Sequence, residues 1–198
     1  MKITTREMVL VSFFAALSVV AAMFSKYGGE AVVPFSLMPL VAMLAGALLG
    51  AKLGALSILV YVLLGLVGVP VFASAPYGGI AYLLKPTAGF LFGFIGGAFV
   101  IGLILEKLGR EKLSSYLLAM VAGLAVIYGV GLPYLYMILN FYVGAAFDVV
   151  RVLQVGFYPY IGFDLVKAAI GAGLGLKIYQ RLEAGNLTIG RDQNQGAK

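Results

Sequence analysis

The sequence predicts an all-α membrane protein: a compact bundle of six transmembrane helices with both termini on the cytoplasmic side. Three observations carry this. Of 198 residues, 62% are hydrophobic and only 11% charged, with a mean hydropathy of +1.04, far outside the soluble range. Uncharged runs cover 8–25, 31–51, 53–84, 86–105 and 113–147, most of them long enough for a hydrocarbon core about 30 Å thick. The lysines and arginines fall unevenly between alternate connections, which sets orientation.

Span 1 is expected over 7–25. Lys2 and Arg6 precede it, as they would a secretory leader, but no small-x-small cleavage site follows and the run is as long as a spanning helix. Spans 2 and 3, over 35–50 and 53–70, are joined by Gly50-Ala51-Lys52-Leu53-Gly54, where one lysine between glycines marks a tight turn. Both are short for a bilayer. Segment 71–85 is apolar yet flanked and broken by Pro70, Pro76, Gly78, Gly79 and Pro86. Irregular backbone at membrane depth must be covered by protein or line a water-filled cavity, so this segment is expected to cap a cavity or re-enter the membrane. Spans 4, 5 and 6 follow at 86–106, 114–139 and 160–181. Residues 1–182 thus form the membrane domain, and 183–198 a hydrophilic, disordered cytoplasmic tail.

Charge orients the bundle. With the N-terminus inside, the cytoplasmic side carries ten cations, Lys2, Arg6, Lys52, Lys107, Arg110, Lys112, Lys177, Arg181, Arg191 and Lys198. The other side carries Lys26, Lys85, Arg151 and Lys167. The net charge of +6 therefore reports topology rather than nucleic-acid binding. Under this orientation the Asn186-Leu187-Thr188 sequon lies inside the cell and carries no weight.

Small residues recur every four positions at Gly46/Gly50/Gly54, Gly89/Gly93/Gly97 and Gly171/Gly175. Such spacing lets helix backbones approach closely and reads first as internal packing. Span 1 repeats the interval in Ser12/Ala16 and Ser18/Ala22, a candidate surface for docking a second membrane protein.

The chain contains no cysteine and no histidine, which removes thiol nucleophiles, Cys/His metal sites and histidine bases. No phosphate-binding loop of the Gly-x4-Gly-Lys-Ser/Thr type is present, Gly50-Ala51-Lys52 lacking both spacing and hydroxyl. The acids are scattered rather than clustered for a divalent ion. No metal or cofactor is expected, and an intramembrane enzyme is disfavoured. Uphill movement of a solute would draw on ATP hydrolysed by another subunit.

What remains is ligand binding. Asp164 and Lys167 sit three residues apart in the last span, where each ionisable group costs about 2.5–3.5 kcal/mol to insert. At helical spacing they share a face and point one acceptor and one donor into the same space. The bland alternative is a pair that merely neutralises itself. Tyr77, Tyr82, Lys85, Asn140, Asp148, Arg151 and Gln154 are further polar or aromatic candidates for the outer side. Asp148 and Arg151, placed in a loop, read first as a surface pair. A cavity with apolar and aromatic walls and a few placed polar groups suits a ligand with an amide-like head and an apolar body. Lys167 could hold a carboxylate there, and Asp164 could accept ligand N–H groups.

Several blocks together carry a resemblance. They are Val33-Pro34-Phe35-Ser36-Leu37, Gly68-Val69-Pro70-Val71-Phe72-Ala73, and Gly78-Gly79 through Tyr82-Leu83-Leu84 to Pro86-Thr87-Ala88-Gly89-Phe90. Gly156-Phe157-Tyr158-Pro159-Tyr160 and Asp164-Leu165-Val166-Lys167-Ala168 complete the set. From about residue 30 to 175 the chain resembles the BioY family, the biotin-capturing S components of energy-coupling factor (ECF) transporters. The resemblance implies a six-helix protein of the cell membrane that binds biotin near the extracytoplasmic face. Its partners would be a transmembrane coupling protein (T component) and a pair of ATP-binding cassette ATPases, with the S component toppling to deliver its ligand. The family's last-helix aspartate and lysine fall on Asp164 and Lys167, while Gly79, Tyr82 and Arg151 match motif-adjacent positions. The alternatives are an S component for another small vitamin, or a stand-alone facilitator. Two departures stand out: Met38 where many members have glutamine, and Lys85, a charge at the cavity rim, where a glycine often precedes Pro-Thr.

Overall fold

A computed structural model describes residues 3–27 and 36–185. Val33-Pro34-Phe35, the 186–198 part of the expected tail and its sequon lie outside the described residues.

Seven α-helices are present among the described residues. α1 (Thr5–Tyr27) opens with a capping box: Thr4 N–H donates to Glu7 Oε2 at 2.8 Å and Glu7 N–H donates to Thr4 Oγ1 at 3.3 Å. α2 (Met38–Leu49) starts where Met38 N–H donates to Ser36 Oγ at 3.1 Å. α3 (Ala51–Leu66) follows after one residue. Gly50 makes this turn with φ +86°, a left-handed conformation that L side chains rarely adopt. Glu106, from the next long helix, accepts the Ala51 N–H at 2.8 Å, placing a carboxylate on the α3 N-terminus, where the helix dipole favours it.

α4 (Gly89–Leu108) and α5 (Leu113–Met137) form the most extensively packed pair, with α2 and α3 laid against α4 and α1 against α3. The predicted four-residue spacing explains the close approach. A Cβ on Gly46 would stand 2.2 Å from the Ala98 carbonyl oxygen, and one on Gly93 2.7 Å from that of Ile127. Only hydrogen fits there.

Between α3 and α4 the chain turns through 67–88, with 3₁₀ turns at Ile80–Leu84 and Pro86–Ala88. Phe72 anchors this segment. Its ring lies 4.1 Å from that of Tyr82 and edge-on to Tyr61 at 5.8 Å, over Gly65, where a Cβ would be 2.1 Å from the Phe72 ring.

α5 passes through Pro133 and ends in a π turn, Ile138–Tyr142. Two further helices complete the fold: α6 (Val149–Gly156) and α7 (Tyr158–Ala184). α6 corrects the loop expected around 148–151. Asp148 Oδ1 accepts the Arg151 N–H at 2.8 Å, so this aspartate is an N-cap rather than half of a surface ion pair. α7 packs against α2 and α5 and takes in the first two residues of the expected tail.

Helices therefore stand at each of the six predicted segments. Among the described residues, three are long and apolar enough on their own to cross a membrane: Thr5–Lys26, Pro86–Leu108 and Leu113–Tyr142. α2 and α3 are apolar but short, about 18 and 24 Å at 1.5 Å per residue. Large apolar side chains such as Val9, Phe13, Leu118 and Val166 are exposed around the outside, the reverse of a soluble surface and suited to lipid.

The expected docking face of α1 divides in two. Ser12 and Ala16 lie on the exposed side. Ser18 and Ala22 are fully buried, and Ser18 Oγ donates to the Phe14 carbonyl at 2.9 Å. The six-residue offset from Ser12 to Ser18 turns the face by about 240° at 100° per residue, so the second pair belongs to the helix core and is not available to a partner.

Candidate ligand-binding site

A cavity of about 550 Å³ opens between α2 to α7 and the 67–88 segment. Its size and its aromatic walls, among them Tyr61, Tyr82, Phe90, Phe94, Tyr128 and Phe147, match the usual form of a small-molecule site. Few polar groups reach it.

The main polar cluster is built by three helices. Asp164, 6% exposed, projects from the first turns of α7. Lys167, one turn on, brings Nζ to 2.7 Å from Asp164 Oδ1. The same ammonium donates to the Ser36 carbonyl at 2.9 Å, tying α7 to the start of α2. From α5, the Tyr128 hydroxyl donates to Asp164 Oδ2. Both carboxylate oxygens are thus held, as a charge removed from water requires. Each oxygen keeps a second lone pair, so ligand N–H groups can add to Asp164 without displacing its partners.

A second cluster lies on the 67–88 segment. Ser74 and Tyr82 line the cavity, their hydroxyl oxygens 3.4 Å apart. Lys85, just outside the wall, donates to Ser74 Oγ at 2.9 Å and to the Ala75 carbonyl at 2.7 Å. The expected cap over a cavity takes this form. Met38, at the first departure noted above, is buried and lines the cavity, putting a thioether in the wall.

Of the candidate residues, Asp164, Lys167 and Tyr82 come together on the cavity. Gly79, Asn140 and Arg151 do not line it. Gly79 has φ +90° and its N–H donates to the Gly65 carbonyl at 2.7 Å, which sets the turn that carries Tyr82. The Asn140 amide donates to the Tyr136 and Phe147 carbonyls at 3.1 and 2.9 Å, folding the chain after α5 so that Phe147 meets the cavity. Arg151 is exposed, its guanidinium 5.3 Å from the Phe147 ring centre. Tyr77, Asp148 and Gln154 also lie outside the lining. Sequence reasoning missed Tyr128 and the Ser36 carbonyl: each meets the α7 pair only through tertiary packing, 36 and 131 residues away.

Residues 1–184 match the BioY family. The chain is 43% identical to the biotin transporter BioY of Thermotoga maritima over 87% of its own length and 95% of the relative's. It is 37% identical to the biotin transporter BioY of Rhizobium etli, covering 87% and 92%. Among solved structures it is similar to an S component for biotin from an ECF-type ABC transporter, with a TM-score of 0.73 at 23% identity, covering 88% of this chain and 91% of that one; that likeness is one of fold. With the family match over residues 1–184 and relatives 43% and 37% identical over most of both chains, the chain belongs to the BioY family.

Proposed function

We propose that this protein captures biotin at the outer face of the cell membrane as the S subunit of an ECF-type transporter. One observation supports this most: an ion pair of buried Asp164 and part-buried Lys167 lines an aromatic-walled cavity in a chain whose relatives are biotin transporters. Asp164, Lys167 and Tyr82 contact the ligand, while Gly79, Asn140 and Arg151 support the elements around it. Six spans cross the membrane and both termini are cytoplasmic, following the distribution of lysines and arginines. The exposed Ser12/Ala16 face of α1 meets a T component, and partner ATPases supply the energy that the sequence gives this subunit no means to supply. Residues 1–182 form the substrate-binding unit, and 183–198 extend it into the cytoplasm.

Biotin has about 16 heavy atoms, and an efficiency of about −0.7 kcal/mol per atom bounds the affinity near −11 kcal/mol, in the nanomolar range. Isothermal titration of the detergent-purified protein with biotin tests the binding step, and tight binding is the expected result. Absence of heat with biotin, followed by binding of another vitamin in a panel, would replace the ligand but keep the architecture. Uptake of labelled biotin by cells with and without the coupling and ATPase subunits tests the division of labour; full uptake without them would make this a stand-alone facilitator.

A further inference from the structure

Lys167, which lines the cavity, and Lys85, just behind its wall, differ in their electrostatic state. Lys167 is already neutralised, its Nζ 2.7 Å from Asp164 Oδ1. A ligand carboxylate brought to it would also stand beside the aspartate, and like charges in a site of low dielectric repel strongly. Among the described residues no carboxylate lies within ion-pair distance of Lys85. Its named partners are a serine hydroxyl, a backbone carbonyl and, at 5.8 Å, the face of the Tyr82 ring, none of which carries a negative charge. Ser74, which accepts from Lys85, lines the cavity. A hydroxyl whose oxygen accepts from an ammonium group turns its own proton elsewhere, polarised by the cation behind it.

We infer that Lys85, acting through the Ser74 hydroxyl, is the carboxylate-reading subsite of this cavity. The Asp164–Lys167–Tyr128 cluster then takes the neutral hydrogen-bonding head. The chain Lys85 Nζ–H to Ser74 Oγ–H to the ligand's carboxylate is charge-assisted at both ends. It leaves Asp164 free to accept N–H groups from a cyclic urea while Lys167 donates to its carbonyl. This assignment rests on the biotin reading and orients the ligand within it: ring toward α7, acid toward the 67–88 segment.

The test compares biotin with biotinamide, whose side chain ends in a neutral amide, by isothermal titration against wild type, Lys85→Gln, Ser74→Ala and Lys167→Met. Wild type is expected to prefer the acid by about tenfold or more, the scale of one charge-assisted contact. Lys85→Gln keeps an N–H donor for Ser74 but removes the charge, and should bring the two affinities to within about threefold of each other. Ser74→Ala should do the same, whereas Lys167→Met should weaken both ligands and keep the preference. An unchanged preference in Lys85→Gln, or its loss in Lys167→Met instead, overturns the assignment. Loss of both ligands in Lys85→Gln and Ser74→Ala alike makes this cluster a prop for the segment and overturns it too. Wild-type protein that binds neither ligand rejects the biotin reading itself, and the assignment falls with it.

Discussion

Tyr128 on α5 donates its hydroxyl proton to Asp164 on α7, across 36 residues of sequence, and so fixes the carboxylate oxygen that Lys167 does not hold. The aspartate is clamped between two helices before any ligand arrives. Fixing a polar group in its bound geometry removes an ordering cost from the binding step.

Tyr128→Phe isolates this clamp. The ring stays, with its edge-on contacts to Phe90 and Phe157 at 6.0 and 5.0 Å, and only the hydroxyl is lost. A hydrogen bond to a charged group contributes about 1.5–3 kcal/mol. Biotin affinity is expected to fall by about tenfold, with a lower melting temperature in detergent. If titration and melting both match wild type, the clamp contributes nothing.

The ion pair itself should show coupling. Asp164→Asn leaves the Lys167 ammonium part-buried without its counter-charge, and Lys167→Met leaves the converse. Breaking a buried pair from one side costs up to about 3–5 kcal/mol, whereas removing both charges often costs less than either. Both single variants should melt below the Asp164→Asn/Lys167→Met double variant, while all three bind biotin poorly. Additive melting shifts would mean that the two charges are independent.

Much of this was legible in the sequence, for reasons that can be named. Insertion cost made Asp164 and Lys167 conspicuous, and helical spacing put them on one face. Glycine spacing foretold the contact of Gly46 with Ala98, and the proline-glycine breaks foretold the irregular segment that carries Ser74 and Tyr82. Tyr128 was not legible, because a tyrosine in an apolar span carries no local mark of its partner. α6 was hidden by its length of eight residues, although Asp148 before Val149-Val150 and Pro159 beyond it were usable cap and breaker signals. The α1 face was misread because four-residue spacing identifies a stripe without saying which way it points.

That stripe gives a paired prediction. Ala22 is fully buried, so Ala22→Leu overpacks the core and should cost about 1–3 kcal/mol, seen as a lower melting temperature. Ala16→Leu, on the exposed side, should leave melting and biotin binding unchanged yet reduce uptake in cells that carry the coupling subunits. Normal uptake by Ala16→Leu would move the docking surface to another helix.

Gly50→Ala tests the α2–α3 turn. The new Cβ would stand 2.5 Å from Glu106 Oε1 at a backbone φ of +86°, combining steric conflict with positive-φ strain of about 1–3 kcal/mol. The carboxylate must move, which loosens its hold on the Ala51 N–H. Thermal stability should fall while biotin affinity, set on the cavity side by other residues, changes by less than about twofold. A large loss of affinity with unchanged melting would show that this turn communicates with the cavity.

Arg151 and Asn140 separate a residue near the cavity from one that shapes it. Arg151 is exposed and does not line the cavity, its guanidinium 5.3 Å from the ring of Phe147, which does. Arg151→Ala gives up a cation–π contact of about 0.5–1 kcal/mol at an exposed position, and biotin affinity should change by less than about threefold. Asn140 never meets the cavity either, yet its amide holds two carbonyls that fold residues 140–147 back on α5. Asn140→Ala removes both donors and releases Phe147 from the wall. It should weaken binding by about tenfold or more, at about 1 kcal/mol per hydrogen bond together with the lost aromatic wall. Titration of the two variants with biotin decides between these roles. If Arg151→Ala is the more damaging change, its guanidinium reaches the ligand directly and α6 must close over the cavity in the bound state.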